Sequence, residues 1–348
     1  MNDFYLPFEK KPMVSYYLLQ AHTMGIIQAN ARLLNQDITP WLCSKFINCS
    51  FIDSRADAKF GVEVFDGGAT NDGKIHRETT SINKSDLTDV EYLWNLVSDF
   101  LKSGFYVKGV FNEKYIPDMD SFMKKDYVHP YLLYGYDNNT HSYTGAGYLK
   151  NHLYNSYSVD YMNYYESIVN TPDDIYVFEL VKYVEDSWYV VNYPRTIKAF
   201  EDYLTSRNTI REDEYPEDEV FGITALKCLR DYYMRILDKD SEYFDMRYSR
   251  ALMESKKVLV TVIDYLYRYF NMSSKNYTEL AAQAASEASV IHNMGLLYNM
   301  TQDKDIIERI YPHFEKILGI ELSYLPCILE DLKSITHFPE GTYVGPVG

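Results

Sequence analysis

The chain has 348 residues, 46% of them apolar, enough for two domains around sizeable cores. Its 50 acidic and 34 basic residues leave a formal charge of −16, which excludes a general nucleic-acid or anionic-membrane binder. Four cysteines in a chain this long make no disulfide framework, and 35 tyrosines imply a core threaded with phenol hydrogen bonds.

The N-terminal MNDFYLPFEKKP lacks the apolar region of a signal peptide, and no apolar run reaches membrane-spanning length. A reduced, cytoplasmic protein is therefore expected. Residues 14–34 (VSYYLLQAHTMGIIQANARLL) are apolar nearly all round, as a buried helix is. KFINCSFI and FGVEVFDGG then read as short strands, and DVEYLWNLVSDFLKSG as an amphipathic helix closed by Gly104. FYVKGVF, YVHPYLLYGYD, HSYTGAGYL, DIYVFELVKYV and SWYVVNY are rich in aromatic and β-branched residues and read as strands. The last two suggest a hairpin turning at Glu185-Asp186-Ser187, followed by a helix over IKAFEDYLTSRN.

The character changes near residue 211. REDEYPEDE (211–219) is acidic, holds a proline and reads as a linker or an acidic helix start. Beyond it the pattern is helical over about 220–237, 242–271, 276–300 and 303–334. Arg250, Glu254 and Lys257 sit at helical spacing and are expected on a solvated face, where such pairs contribute roughly 0.2–0.5 kcal/mol each. The expected fold class is α+β: residues 1–210 form a domain with a buried helix packed on an antiparallel sheet, and 220–335 an all-helical domain.

Two sequence features resemble sites and are set aside. GATNDGK (68–74) has the skeleton of a phosphate loop, but Ile75 stands where magnesium binding needs Ser or Thr, and HRETTSINKSD is no convincing helix to follow it. A polar turn between strands is expected there. His141 and His152 have no carboxylate at ligand spacing, and CxxC and HExxH are absent, so no metal site is expected.

HPYLLYGYD (129–137) carries a histidine at the mouth of an apolar strand. His129, Tyr131, Leu133, Gly135 and Asp137 share one face by alternation, and Pro130, lacking an N–H, marks an edge or a strand end. Asp137 cannot reach the imidazole, because eight extended residues separate them by roughly 26 Å. It suits the turn at Asn138-Asn139 instead. A partner would come from the returning strand near 148–150, bringing Tyr148 and Asn151 into reach, with Asn151 able to fix the tautomer. A nucleophile is best staged at the N-terminus of the buried helix, where Ser15 is both an N-cap and a candidate nucleophile.

GFYVKGVFNEKYIP followed by the H…GYD strand, and DMRYSRALMESKK in the second half, resemble the BtrH-type butirosin-biosynthesis proteins. Those are relatives of double-glycine bacteriocin-processing peptidases with a papain-like, cysteine-peptidase fold. The resemblance implies a cysteine at the head of the first long helix, a histidine on a later strand and an Asp or Asn orienting it. His129 matches the histidine, while Ser15 or a neighbour matches the cysteine position. No Asp or Asn falls at 145–147, so Asn151 is a displaced third member. The implied activity is amide-forming acyl transfer in natural-product (nonribosomal peptide-type) assembly. The donor is the phosphopantetheine arm of a carrier protein, the acceptor a small amine, and no cofactor is bound.

Serine in a cysteine frame leaves three readings: serine catalysis, a non-catalytic relative that binds a carrier protein or intermediate, or an inactivated site. A leader-peptide peptidase is a further alternative. Cys43, after Thr39-Pro40, is a fallback nucleophile ahead of Cys49, which alternates as a buried strand residue. Lys10-Lys11 and Lys124-Lys125 flank the proposed site and would suit an acidic carrier protein. Self-association through the helical domain remains an open expectation.

Overall fold

The computed structural model describes residues 3–53, 58–62, 74–87, 89–150, 152–186, 188–209, 218–238, 243–272 and 276–345. Most of GATNDGK, most of the acidic 211–219 stretch, Ser187 and Asn151 therefore lie outside the described residues. In chain order the first half runs β1 (Phe4–Tyr5), α1 (Leu18–Leu33), α2 (Thr39–Leu42), β2 (Cys49–Asp53), β3 (Ala58–Val62), β4 (Ile75–Asn83), α3 (Val90–Lys102) and β5 (Tyr106–Asn112). Next come β6 (Val128–Asp137), β7 (Ser142–Tyr148), β8 (Tyr154–Asp160), α4 (Tyr161–Val169) and β9 (Ile175–Tyr183). The chain then continues through α5 (Tyr193–Thr205), β10 (Glu219–Phe221), α6 (Gly222–Met234), α7 (Met246–Tyr269), α8 (Tyr277–Thr301) and α9 (Lys304–Lys333).

The chain is α+β and divides into two compact units, 1–36 with 71–187 and 37–70 with 188–348. This differs from the expected division at 210/220, because β2 pairs antiparallel with β10. That non-local pairing ties residues 37–70 to the C-terminal half and gives its helical region a small sheet ordered β10-β2-β3.

In the first unit an antiparallel seven-stranded sheet runs β4-β9-β5-β6-β7-β8, with β1 added beside β6. One face carries α1, whose apolar circumference is buried as its composition requires. Phe8 stacks on Tyr134 there at 4.8 Å, and His22 reaches the Ala146 carbonyl. The opposite face buries Phe111, Tyr131, Leu133, Tyr143, Tyr157 and Phe178 with Leu93, Val97 and Leu101 of α3 and Tyr164 and Ile168 of α4. Asp89 caps α3 by accepting from Tyr92 N at 2.8 Å, and Gly104, at φ 86°, follows its end as expected.

The phenols bond as their number implies: Tyr131 and Tyr164 share a hydrogen bond, and Tyr176 donates to Tyr131 at 3.1 Å or to the Val110 carbonyl at 2.7 Å. Asp137 closes the β6–β7 turn, accepting from Asn139 N at 2.7 Å and Thr140 N at 3.2 Å. The left-handed residue of that turn is His141, not Asn138 or Asn139.

HRETTSIN, which follows the expected polar turn and is not expected to be a helix, is strand β4, paired along its whole length with β9; its side chains are mostly exposed, so no apolar alternation marks it. Two local expectations fail for identifiable reasons. Within SWYVVNY the described residues 188–192 form no strand, and Asn192 makes an isolated bridge with Tyr343 in place of the expected hairpin, while β9 pairs β4 on one side and β5 on the other. The 14–34 helix begins only at Leu18, since Pro12, Val14 and Tyr16 are buried in an irregular lead-in with Ser15 half-buried between them.

In the second unit the four helices after residue 220 appear close to their expected limits, with Asp245 and Asp303 as N-caps. The Arg250–Glu254–Lys257 face is not uniformly solvated: Glu254 is buried and Lys257 exposed. The more consequential charges are Lys256 of α7 and Glu321 of α9, a buried pair at 2.6 Å. Tyr203 of α5 donates to Glu321 and lies 3.0 Å from the Lys256 ammonium, which donates to it. Among the described residues no helix is long and apolar enough to cross a membrane.

Candidate functional site

The β5–β6 pair builds the site. Phe111 stands opposite His129 and Asn112 opposite Val128, so Glu113 emerges just past the strand end. Residues Glu113–Tyr115 form a 3-10 turn, and Glu113 N donates to the Tyr127 carbonyl at 2.8 Å. The Glu113 side chain turns back to the imidazole, with Oε1 2.8 Å from His129 Nδ1. The carboxylate is sheltered and the imidazole half-open, with side-chain exposures of 9% and 32%. An ionised carboxylate only accepts, so Nδ1 carries the proton and the Nε2 lone pair is left for chemistry. The Tyr127 ring lies 5.3 Å away, and beneath the site Phe111 stacks on Tyr131 at 5.0 Å and 7°.

The sequence-derived residues are placed as follows. His129 makes its hydrogen bond, among the described residues, with Glu113 and not with Ser15. Ser15 does not cap α1; Tyr17 holds that position without a side-chain cap. Ser15 instead presents its backbone carbonyl to the Tyr148 hydroxyl. Alternation from Ala146 puts Tyr148 on the α1 face, whereas His129 alternates with Tyr131 on the other. The β6–β7 register pairs Leu132 with Ala146; continued, it sets residue 149 opposite His129, within the expected 148–150. Asn151, expected to orient the imidazole, lies outside the described residues. Cys43 is buried, donates to the Thr39 carbonyl at 3.3 Å, and has its thiol pKa pushed up by burial and then by Asp37. Those properties oppose a nucleophilic role. Cys49 is the buried strand residue its alternation implied.

Sequence reasoning missed Glu113 and His22. Glu113 had a signal: the NEK that directly ends the VKGVF strand, one register step from the histidine's strand. His22 lies wholly inside α1's interface with the sheet, with Nε2 3.0 Å from the Ala146 carbonyl. Since a carbonyl only accepts, Nε2 carries the proton. Burial, reinforced by Lys108 and to a lesser degree by His129, lowers its pKa to about 3, against the opposing pull of the Ala146 hydrogen bond. His22 is thus held as a neutral imidazole within α1's interface with the sheet. Lys124 and Lys125 are exposed near the site; Lys124 pairs with Asp120 at 3.2 Å and Lys125 sits 5.5 Å over the Tyr127 ring.

Among the described residues, no group of three or more His, Cys, Asp or Glu is placed to hold a metal. No protein-family model matches the chain, and no curated protein matches it in sequence.

Proposed function

We propose that the chain is an acyltransferase with a papain-like first unit, of the BtrH type, which moves an acyl group from a carrier-protein thioester to a small amine. The observation that carries this reading is the His129–Glu113 pair: a half-open imidazole held by a sheltered carboxylate in the tautomer a general base needs. The buried helix packed on an antiparallel sheet, with the histidine at the mouth of a central strand, supports the papain-like assignment.

In the reaction His129 Nε2 takes the proton of the attacking group as the new bond to the thioester carbonyl forms. Collapse of the tetrahedral adduct breaks the C–S bond, and the imidazolium returns the proton to the phosphopantetheine thiolate. Glu113 stabilises the imidazolium between those steps. Because Ser15 lies against Tyr148 on the α1 face of the sheet while His129 alternates with Tyr131 onto the other, the geometry favours direct attack by the amine over an acyl-Ser15 intermediate. Serine standing in the cysteine frame also supports a second reading, a non-catalytic relative that holds a loaded carrier protein.

Intact-mass spectrometry of the chain with a loaded carrier protein and an amine separates these routes. Direct attack predicts amide product without a protein adduct, retained in Ser15→Ala. An acyl adduct lost in Ser15→Ala supports the covalent route. Carrier binding with no product, even in Ser15→Cys, supports the non-catalytic reading.

A further inference from the structure

Asn112, the last residue of β5, is 1% exposed and uses its side-chain amide in four directions. Its Oδ1 accepts from Lys114 N and from Tyr127 N, each at 3.2 Å. Its Nδ2 donates to Asp126 Oδ1 at 2.9 Å and to the Asn170 carbonyl at 3.2 Å. One side chain therefore joins the turn carrying Glu113, the approach to β6 two residues before His129, and the residue ending α4. Asp126 is braced again by Lys114 Nζ at 3.1 Å, and its carboxyl is held below the ordinary aspartate range by the Asn112 amide first and by Lys114 next.

We propose that Asn112 is the positioning residue of this site: it holds the Glu113 carboxylate on His129 Nδ1 and the Tyr127 ring beside the imidazole. Glu113 precedes Lys114 in the chain and donates its own N–H to the Tyr127 carbonyl, and the Asn112 amide accepts from the backbone N–H of both Lys114 and Tyr127. A glutamate at a strand end has solvent as its alternative, and side-chain entropy favours that alternative. The clamp removes the freedom of the turn, leaving the carboxylate one place to go. Among side chains of this length no other supplies the same set, since glutamine carries its amide one methylene further out. Aspartate at 112 keeps both acceptor contacts but has no donor for Asn170 and faces Asp126 with like charge. Serine offers a single donor, and alanine none.

The assignment to positioning stands on these contacts; its effect on rate rests on the acyltransferase reading. The test is nitrogen NMR of the full chain with labelled histidine, which reports which imidazole nitrogen carries the proton. In the native chain His129 is expected as the Nδ1–H tautomer. Asn112→Asp and Asn112→Ser are expected to shift it toward the Nε2–H form preferred by free imidazole, as Glu113→Gln does, while the signal of buried His22 stays in place. If Asn112→Ala fails to fold, the Asp and Ser variants carry the test.

Where acyl transfer is measurable, kcat should fall roughly 10–100-fold with KM little changed, the range typical of lost supporting contacts. A His129 tautomer unchanged in Asn112→Asp but altered in Glu113→Gln overturns the positioning role. A tautomer unchanged in both overturns the pair itself. Tautomer shifts without acyl transfer by any form, the native chain included, leave the positioning role standing and overturn the acyltransferase reading.

Discussion

Replacing Glu321 with glutamine keeps the side chain's volume and an acceptor for the Tyr203 hydroxyl but deletes the negative charge. The Lys256 ammonium then remains 6% exposed, with the Tyr203 oxygen at 3.0 Å and that ring's centroid at 4.8 Å beside it. Two unit charges 2.6 Å apart attract by roughly 6 kcal/mol at an effective dielectric of 20, a gain that offsets the desolvation of both groups. Stranding one partner in a buried pair costs about 3–5 kcal/mol. In a unit of this size that lowers the melting temperature by roughly 6–20 °C.

The pair's net worth is smaller than this cost. Lys256→Met combined with Glu321→Leu should therefore restore most of the loss, giving a coupling of several kcal/mol in the double-mutant cycle. Urea unfolding followed by far-ultraviolet circular dichroism measures all four forms. A Glu321→Gln variant within about 1 kcal/mol of native, or a double variant no better than the worse single one, refutes the reasoning.

Acid should act through His22. Its folded pKa, about 3, lies below the unfolded value near 6.5, so between those limits the unfolded chain binds more protons and stability falls as pH falls. The stability advantage of the native chain over His22→Gln should shrink by about 1.4 kcal/mol per pH unit below 6.5 and stay level above it; a difference independent of pH contradicts the burial of a neutral imidazole. Buried His292, whose pKa is lowered to about 4 by burial and then by Arg250 and Lys257, adds the same sign of acid sensitivity to the second unit, read as a matching loss in His292→Gln comparisons. Thiol alkylation at pH 8 with peptide mapping should label Cys228 and Cys327 while sparing Cys43 and Cys49; labelling of Cys43 as fast as an unstructured thiol would remove the case against its reactivity. Gly222→Ala should destabilise the second unit severely, because at φ 54° its Cβ would stand 2.1 Å from the Tyr203 carbonyl oxygen; calorimetry showing an unchanged melt would contradict that contact.

Elements that bury one continuous stripe or a whole circumference were legible in the sequence. The four C-terminal helices, the amphipathic α3 with Gly104 behind it, and the aromatic β6 all carry their period in their own residues. What was illegible depends on partners distant in sequence. Residues 37–70 join the C-terminal half because β2 finds β10.

The site divides the same way. The histidine at the strand mouth was visible in HPYLLYGYD, and the register of the returning strand followed from its turn. The search for a partner looked only toward that returning strand, whereas the carboxylate comes from the strand before, where β5 runs into its 3-10 turn. Ser15 fits a capping serine by composition alone. Buried Val14 and Tyr16 on either side of it hold the lead-in irregular and delay the helix to Leu18.

The most direct measurement of the central claim is the single-turnover rate of amide formation from a loaded carrier protein and an amine, compared between the native chain and His129→Ala. A general base of this kind contributes about 10²–10⁴-fold, so a drop of that size is expected, with Glu113→Gln falling between the two. Equal rates in the native chain and His129→Ala would contradict the account.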